Sequence, residues 1–195
     1  HTGTPVRDEL EKLPSRQAAC EKFGFDPLKK TLLVMGGSQG ARRLNELVAE
    51  GTEGTAWQVL HLTGQADFER LSEQVGKRDG YKILAFCEGM AAAYAASDFC
   101  VARSGASSLT ELSHVGLPAL LVPFPFSADD HQTANARVFE KAGAAILAHE
   151  KDLEAKTITD MLSELDDGIL ESMSESMLNL ADPAAAAQIV NVIEG

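Results

Sequence analysis

The stretch TLLVMGGSQGARRLNE, Thr31 to Glu46, decides how this chain is read. Thr31 and four apolar residues run straight into Gly36-Gly37-Ser38-Gln39-Gly40, and a helical pattern begins near Ala41. A short apolar run without period-two alternation marks a strand covered on both faces. Glycine packed behind such a strand means backbone pressed against something, either a ligand or the chain itself.

Runs of the same kind recur at Trp57–Leu62, Tyr81–Phe86, Asp98–Ala102, Ala119–Val122 and Ala144–Ala148. Helical patterns lie between them near 40–49, 66–76, 89–96, 106–115 and 130–142. That alternation predicts βα units, hence an α/β, Rossmann-like domain of about six mostly parallel strands with helices on both faces. Beyond Asp152 the strands stop, and helices are expected near 152–165, 168–180 and 184–194. Asp182 serves as cap and Pro183 as first helical residue of the last. The expected organisation is one domain over 1–195, with a lead-in at 1–29 (a short helix at 15–22), a core at 30–150 and a helical tail at 151–195.

The chain has 195 residues, 45% of them hydrophobic, which suffices for one buried core. No apolar run approaches the roughly 18 residues that span a bilayer, and no signal-peptide pattern opens the chain. It begins on His1 rather than Met, so it reads as a processed chain or a piece of a longer one. A formal charge of −12 leaves no concentrated positive surface, so nucleic acid is not an expected partner. Nine acidic residues between Glu150 and Glu175 read as outward helix faces rather than a metal site. The three cysteines have no zinc spacing; Cys87 and Cys100 sit in apolar runs and read as buried thiols of a reducing compartment.

Four loops follow strands, and in such folds ligands sit outside the carboxyl ends of the strands. The Gly36–Gly40 loop matches neither GxxxxGK[ST] nor GxGxxG, yet it offers free backbone N–H groups, a helix start and the Ser38 hydroxyl. It fits a phosphate, or a tight turn with no ligand. In the segment Arg103 to Leu112, Ser104 reads as a helix cap. Glu111 lies too far into the helix for a capping box; its carboxylate could accept two hydroxyls of a vicinal diol such as ribose, or simply face water. In Pro123 to Ala136, Asp129, Asp130, His131 and Gln132 crowd a helix start where sugar hydroxyls could be read, or where Asp129 merely caps. A metal held by Asp129, Asp130 and His131 fits poorly, because adjacent helical positions diverge. Backbone at Phe86–Cys87 could pair with a base edge. Together the loops suit an anionic nucleotide held by backbone donors, with an acid for its ribose. Triads, paired carboxylates, CxxC and HExxH are not found.

GTPVR (Gly3–Arg7), GGSQGARRLNE (Gly36–Glu46), MAAAYAASDFCVARSGASSLTEL (Met90–Leu112), GLPALLVPFP (Gly116–Pro125) and DDHQTANARVFEKAGAA (Asp129–Ala145) carry a family resemblance. The chain resembles the C-terminal half of glycosyltransferase family 28, in particular its bacterial UDP-N-acetylglucosamine transferases of peptidoglycan synthesis, which have the two-domain GT-B fold. The resemblance covers Gly3 to about Ala145 and is looser through the tail. It implies that Arg7 and Ser38 meet the donor diphosphate, beside the amides of Gly37, Gln39 and Gly40. Glu111 would hold the ribose hydroxyls, Ala106, Ser107 and Ser108 would lie along the nucleotide, Phe86–Cys87 would read uracil, and Gln132 with His131 would face the N-acetylglucosamine. The chain has GTPVR where the family usually has GNPVR, and Ser107 and Ser108 where Leu and Thr are common.

The family reaction is an inverting transfer of N-acetylglucosamine from UDP-N-acetylglucosamine to undecaprenyl-diphosphate-muramyl-pentapeptide (lipid I), giving lipid II. The resemblance implies no tightly bound metal or cofactor and no catalytic residue in this half. It places the general base and the lipid-linked acceptor site in the family's N-terminal domain, the expected partner. The expected location is the cytoplasmic side of the bacterial membrane, peripheral through that other half, with this portion soluble and inactive by itself. Rival readings are half of a related GT-B enzyme, such as a UDP-N-acetylglucosamine 2-epimerase or a dolichol-linked transferase, and a catalytically silent UDP-sugar-binding or scaffolding module. A dinucleotide dehydrogenase fits least, because the glycine spacing is wrong.

Overall fold

A computed structural model describes residues 6–37, 41–125 and 130–181. The expected site residues Ser38, Gln39 and Gly40, the cap Asp129 and the helix at 184–194 with its cap Asp182 lie outside the described residues.

Six strands form one sheet: β1 (Thr31–Met35), β2 (Gln58–Leu62), β3 (Tyr81–Leu84), β4 (Phe99–Ala102), β5 (Ala119–Leu121) and β6 (Ala145–Leu147). Their order is β3-β2-β1-β4-β5-β6, and all five pairings are parallel. Each expected strand is present, most of them shorter than its apolar run. The β3 run ends at Leu84 rather than Phe86 because β3 is an edge strand, and Ala85 and Phe86 turn out of the sheet to line a cleft.

The helices are α1 (Arg16–Phe23), α2 (Arg42–Gly51), α3 (Phe68–Val75), α4 (Met90–Ala95), α5 (Ala106–Val115), α6 (His131–Lys141), α7 (Ala155–Glu164) and α8 (Asp167–Leu178). Strand residues alternate between two core layers, which is why no alternation shows in the sequence. Leu33, Leu60, Cys100, Ala102 and Leu121 pack with Phe23 of α1, Tyr94 of α4 and Leu112 of α5. Leu32, Val34, Val59, Phe99 and Leu120 face Leu44 and Val48 of α2, Ile158 and Leu162 of α7 and Leu170 and Met173 of α8. Each such side chain, fully buried, contributes roughly 1.5–3 kcal/mol.

The helical tail is part of that second layer. Thr159 Oγ1 donates to Gly51 O at 2.7 Å, and Trp57 Nε1 donates to Leu162 O at 3.1 Å. Asp166 caps α8 through Ile169 N at 2.8 Å. The acidic residues on this tail are exposed, as read from sequence, except the half-buried Glu150. The lead-in adds a 3-10 turn at Asp8–Leu10, unseen in the sequence, whose middle residue Glu9 accepts from Met90 N at 3.2 Å and so ties it to α4.

Candidate functional site at the carboxyl edge of the sheet

The order of strands reverses between β1 and β4, the parallel neighbours from which the sheet grows both ways, and the loops that follow them diverge above that point. The glycines after β1 answer two separate demands. A Cβ on Gly36 would lie 2.7 Å from Ala41 Cβ and 2.9 Å from Asn45 Oδ1, so α2 can come this close only to glycine. Gly37 has φ +92°, a conformation side chains disfavour. Helix α2 then starts behind Ala41 with no side-chain cap, leaving its first N–H groups directed at the loop.

The same holds for α5 and α6, which begin at this edge behind Gly105 and Asp130 with no side-chain cap among the described residues, whereas the first N–H of α4 is met by the Glu9 carboxylate. Ser15 and Asp166, by contrast, cap α1 and α8. Ser104 was expected to cap α5 and does not: Gly105 takes the cap position, and the fully buried Ser104 Oγ has no hydrogen-bond partner among the described residues. Uncapped helix starts put partial positive charge at the sheet edge, which favours an anion there.

A cleft of about 300 Å³ opens beside Gly37. Arg7, Gly37, Phe86, Cys87 and Ser108, all expected site residues from four distant segments, line it together. Met35, Leu62 and Met90 give it an apolar floor, and Phe86 is 62% exposed over it. Cys87 is half-buried rather than buried, and burial pushes its thiol pKa up, which keeps it a neutral thiol.

Glu111 is not a solvent-facing residue of α5; it is 8% exposed. Its Oε1 lies 2.8 Å from Nε of Arg7, which is itself half exposed, and its Oε2 accepts from the Tyr94 hydroxyl at 2.6 Å. Glu111 thus reaches the cleft through Arg7. Ala106 and Ser107 are exposed on the first turn of α5, outside the lining. Gln132 and His131 stand at the start of α6, away from the cleft. There Gln132 Oε1 accepts from Phe124 N at 2.9 Å and closes the turn after β5.

Sequence reasoning assigned no role to two residues here. Arg103, 9% exposed at the end of β4, donates through one guanidinium nitrogen to Val122 O and Pro123 O at 3.2 and 3.3 Å. Its other terminal nitrogen meets Glu150 Oε2 at 2.5 Å, so Arg103 ties the exits of β4 and β5 to the segment after β6. An arginine directly behind a buried strand was the available signal. Tyr94, 3% exposed, was marked only by being the one polar-tipped side chain in the helix MAAAYA.

Beneath the glycine loop runs a buried polar chain. Asn45 Nδ2 donates to Asp67 Oδ2 at 2.8 Å, and its Oδ1 faces His61 Nε2 at 3.1 Å. His61 Nδ1 lies 2.7 Å from the Tyr81 hydroxyl. With Asn45 Oδ1 accepting, His61 carries its proton on Nε2 and accepts from Tyr81. Among the described residues, no group of three or more His, Cys, Asp or Glu could hold a metal ion, and no helix is long and apolar enough to cross a membrane.

Residues 31–189 match the model of the glycosyltransferase family 28 C-terminal domain. The UDP-N-acetylglucosamine–N-acetylmuramyl-(pentapeptide) pyrophosphoryl-undecaprenol N-acetylglucosamine transferase of Thiobacillus denitrificans is 38% identical over 98% of this chain and 52% of its own length. The enzyme of that name from Aquifex aeolicus is 35% identical over 84% of the chain and 47% of its own length. The crystal structure of Acinetobacter baumannii MurG superposes with a TM-score of 0.79 at 29% identity, covering 97% of this chain and 55% of that one. The glycosyltransferase VinC, at 18% identity and a TM-score of 0.66, shares the fold. The chain spans about half the length of the curated relatives it matches.

Proposed function

Because the chain belongs to glycosyltransferase family 28, as its C-terminal domain, we propose that it is the donor-binding half of an inverting transferase. In this reading it holds UDP-N-acetylglucosamine while N-acetylglucosamine passes to lipid I to form lipid II. The observation that carries the reading is the pairing of Arg7 with Glu111 at the rim of the cleft, where uncapped helix starts converge. A cation and a diol-accepting carboxylate stand side by side there, as the two halves of a nucleoside diphosphate require.

Residues 1–195 act as one donor domain. The diphosphate lies over Gly37, Ser38, Gln39 and Gly40 against the first turn of α2, and Arg7 turns from Glu111 to meet it. Glu111 takes the ribose hydroxyls, and Ser108, with Ala106 and Ser107 beside it, follows the nucleotide. Backbone at Phe86 and Cys87 pairs with uracil, and Phe86 covers the base. Gln132 releases Phe124 N to face the sugar together with His131. As the glycosidic bond breaks, charge grows on the leaving UDP, and the α2 amides with Arg7 stabilise it. The acceptor hydroxyl is deprotonated and presented by the other half of the enzyme, which also contacts the cytoplasmic face of the membrane.

Calorimetric titration of the chain with UDP-N-acetylglucosamine, UDP-glucose and UDP tests this. Tightest binding of the first is expected, with weakening in Glu111→Ala, and no sugar transfer by the chain alone. Binding of none of the three, or a Glu111→Ala variant that binds UDP like the parent, would sink the assignment.

A further inference from the structure

Glu111 accepts two hydrogen bonds of different kinds. Arg7 is half exposed and lies on the lead-in, so it can leave. Tyr94 comes from α4, is 3% exposed and is packed in the core, so it cannot. Its hydroxyl, 2.6 Å from Oε2, must donate, since an ionised carboxylate only accepts. A side-chain carboxyl is otherwise free to turn about its last bond, a broad torsion with little preference of its own.

We propose that Tyr94 is the positioning residue for ribose recognition, fixing Oε2 of Glu111 so that Oε1 receives the diol when Arg7 moves to the diphosphate. The inference rests on the reading of Glu111 as the ribose acceptor. Arg7 occupies Oε1 at 2.8 Å and balances a carboxylate that is largely removed from water. Once the guanidinium swings away, the carboxylate needs a remaining donor to stay in place, and Tyr94 supplies it. Without the hydroxyl, Glu111 follows Arg7 toward solvent and the plane of its two oxygens is no longer set. Tyr94 touches no donor atom in this scheme and acts only through Glu111.

The test compares UDP with 2′,3′-dideoxyuridine diphosphate by calorimetry on the whole chain. The parent should prefer UDP by roughly tenfold or more, the discrimination expected of hydrogen bonds to a charged acceptor. Glu111→Ala should bring that ratio close to one. Tyr94→Phe should lower it to about threefold or less while binding the dideoxy compound as the parent does, an outcome a general loosening of the fold would not give. A Tyr94→Phe variant that keeps the full ratio, while Glu111→Ala loses it, overturns the role of Tyr94 and leaves Glu111 standing. A parent without discrimination overturns both. A crystal structure of the parent with UDP gives a check that needs no variant to fold. Oε2 should remain on Tyr94 with Oε1 on the ribose, and a Glu111 turned away from Tyr94 refutes the proposal.

Discussion

Acid should unfold this protein through His61. The imidazole is fully buried on β2, between Asn45 of α2 and Tyr81 of β3, under the glycine loop. Burial lowers its pKa from 6.5 to about 3, and the nearby negative charge of Asp67 offsets this only in part. In the unfolded chain the ring protonates near its ordinary value. Below pH 6.5 the unfolded state therefore binds more protons than the folded one. The contribution to stability is complete above 6.5 and is lost as pH falls toward about 3. Each unit of that window is worth about 1.36 kcal/mol, so moving from pH 7.5 to 4.5 removes on the order of 3 kcal/mol through this one group. Set against the roughly 5–15 kcal/mol of a typical domain, that is a large share. Urea denaturation across this pH range would measure it, beside a His61→Gln variant that keeps an amide donor for Asn45 but cannot titrate. Carboxylate titration is common to both proteins and cancels in the difference. The parent's stability should fall more steeply than the variant's, by roughly 3 kcal/mol in total. Parallel curves would refute the reasoning, because they would mean that His61 is already charged or already hydrated in the folded state.

Gly36→Ala should cost roughly 1–3 kcal/mol in chemical denaturation, since its Cβ would stand 2.7 Å from Ala41 Cβ, and it should also weaken UDP binding by displacing the loop from α2. Gly116→Ala, at φ +69° with Leu178 Cγ 2.8 Å from the new Cβ, should lose a similar amount, roughly 1–3 kcal/mol, yet leave UDP affinity unchanged because α5 meets α8 far from the cleft. Glu150→Gln should lower stability by at least about 1 kcal/mol, seen as a reduced urea midpoint, because it leaves the buried Arg103 guanidinium without its counter-ion.

Much of the fold was legible because strand burial writes itself into composition. Apart from Thr31 at the start of β1, TLLVM, FCVA and ALL carry only apolar residues because helices cover both faces, so each announced a strand without any knowledge of its neighbours. Helix starts were harder to read. Ser104 is the residue type that caps helices, yet the chain is still extended at Gly105, so the helix starts one residue too late for Ser104 to cap it, and the choice between them is made by how β4 exits the sheet. The Asp8–Leu10 turn was invisible because its stability comes from α4 and α5 rather than from its own pattern.

The site divides in the same way. Arg7, Gly37, Phe86, Cys87 and Ser108 could be named one by one, and the cleft they share exists only after the parallel crossovers bring their four segments to one edge. Glu111 shows the limit most plainly. Its spacing could not distinguish a solvated surface acid from a functional one, whereas in the fold it is 8% exposed between Arg7 and Tyr94. The glycines of GGSQG were readable as backbone held close, but not as close to what. Gly36 answers to α2 through Ala41 and Asn45, and Gly37 to its own positive φ. Local chemistry, the order of strands and helices and the family motifs belong to the sequence alone, since each depends on residues near one another along the chain. Which side chains meet across the carboxyl edge, and with what charge balance, only the tertiary structure decided. Those contacts join residues dozens of positions apart, and their energy comes from burial that does not exist until the sheet is assembled.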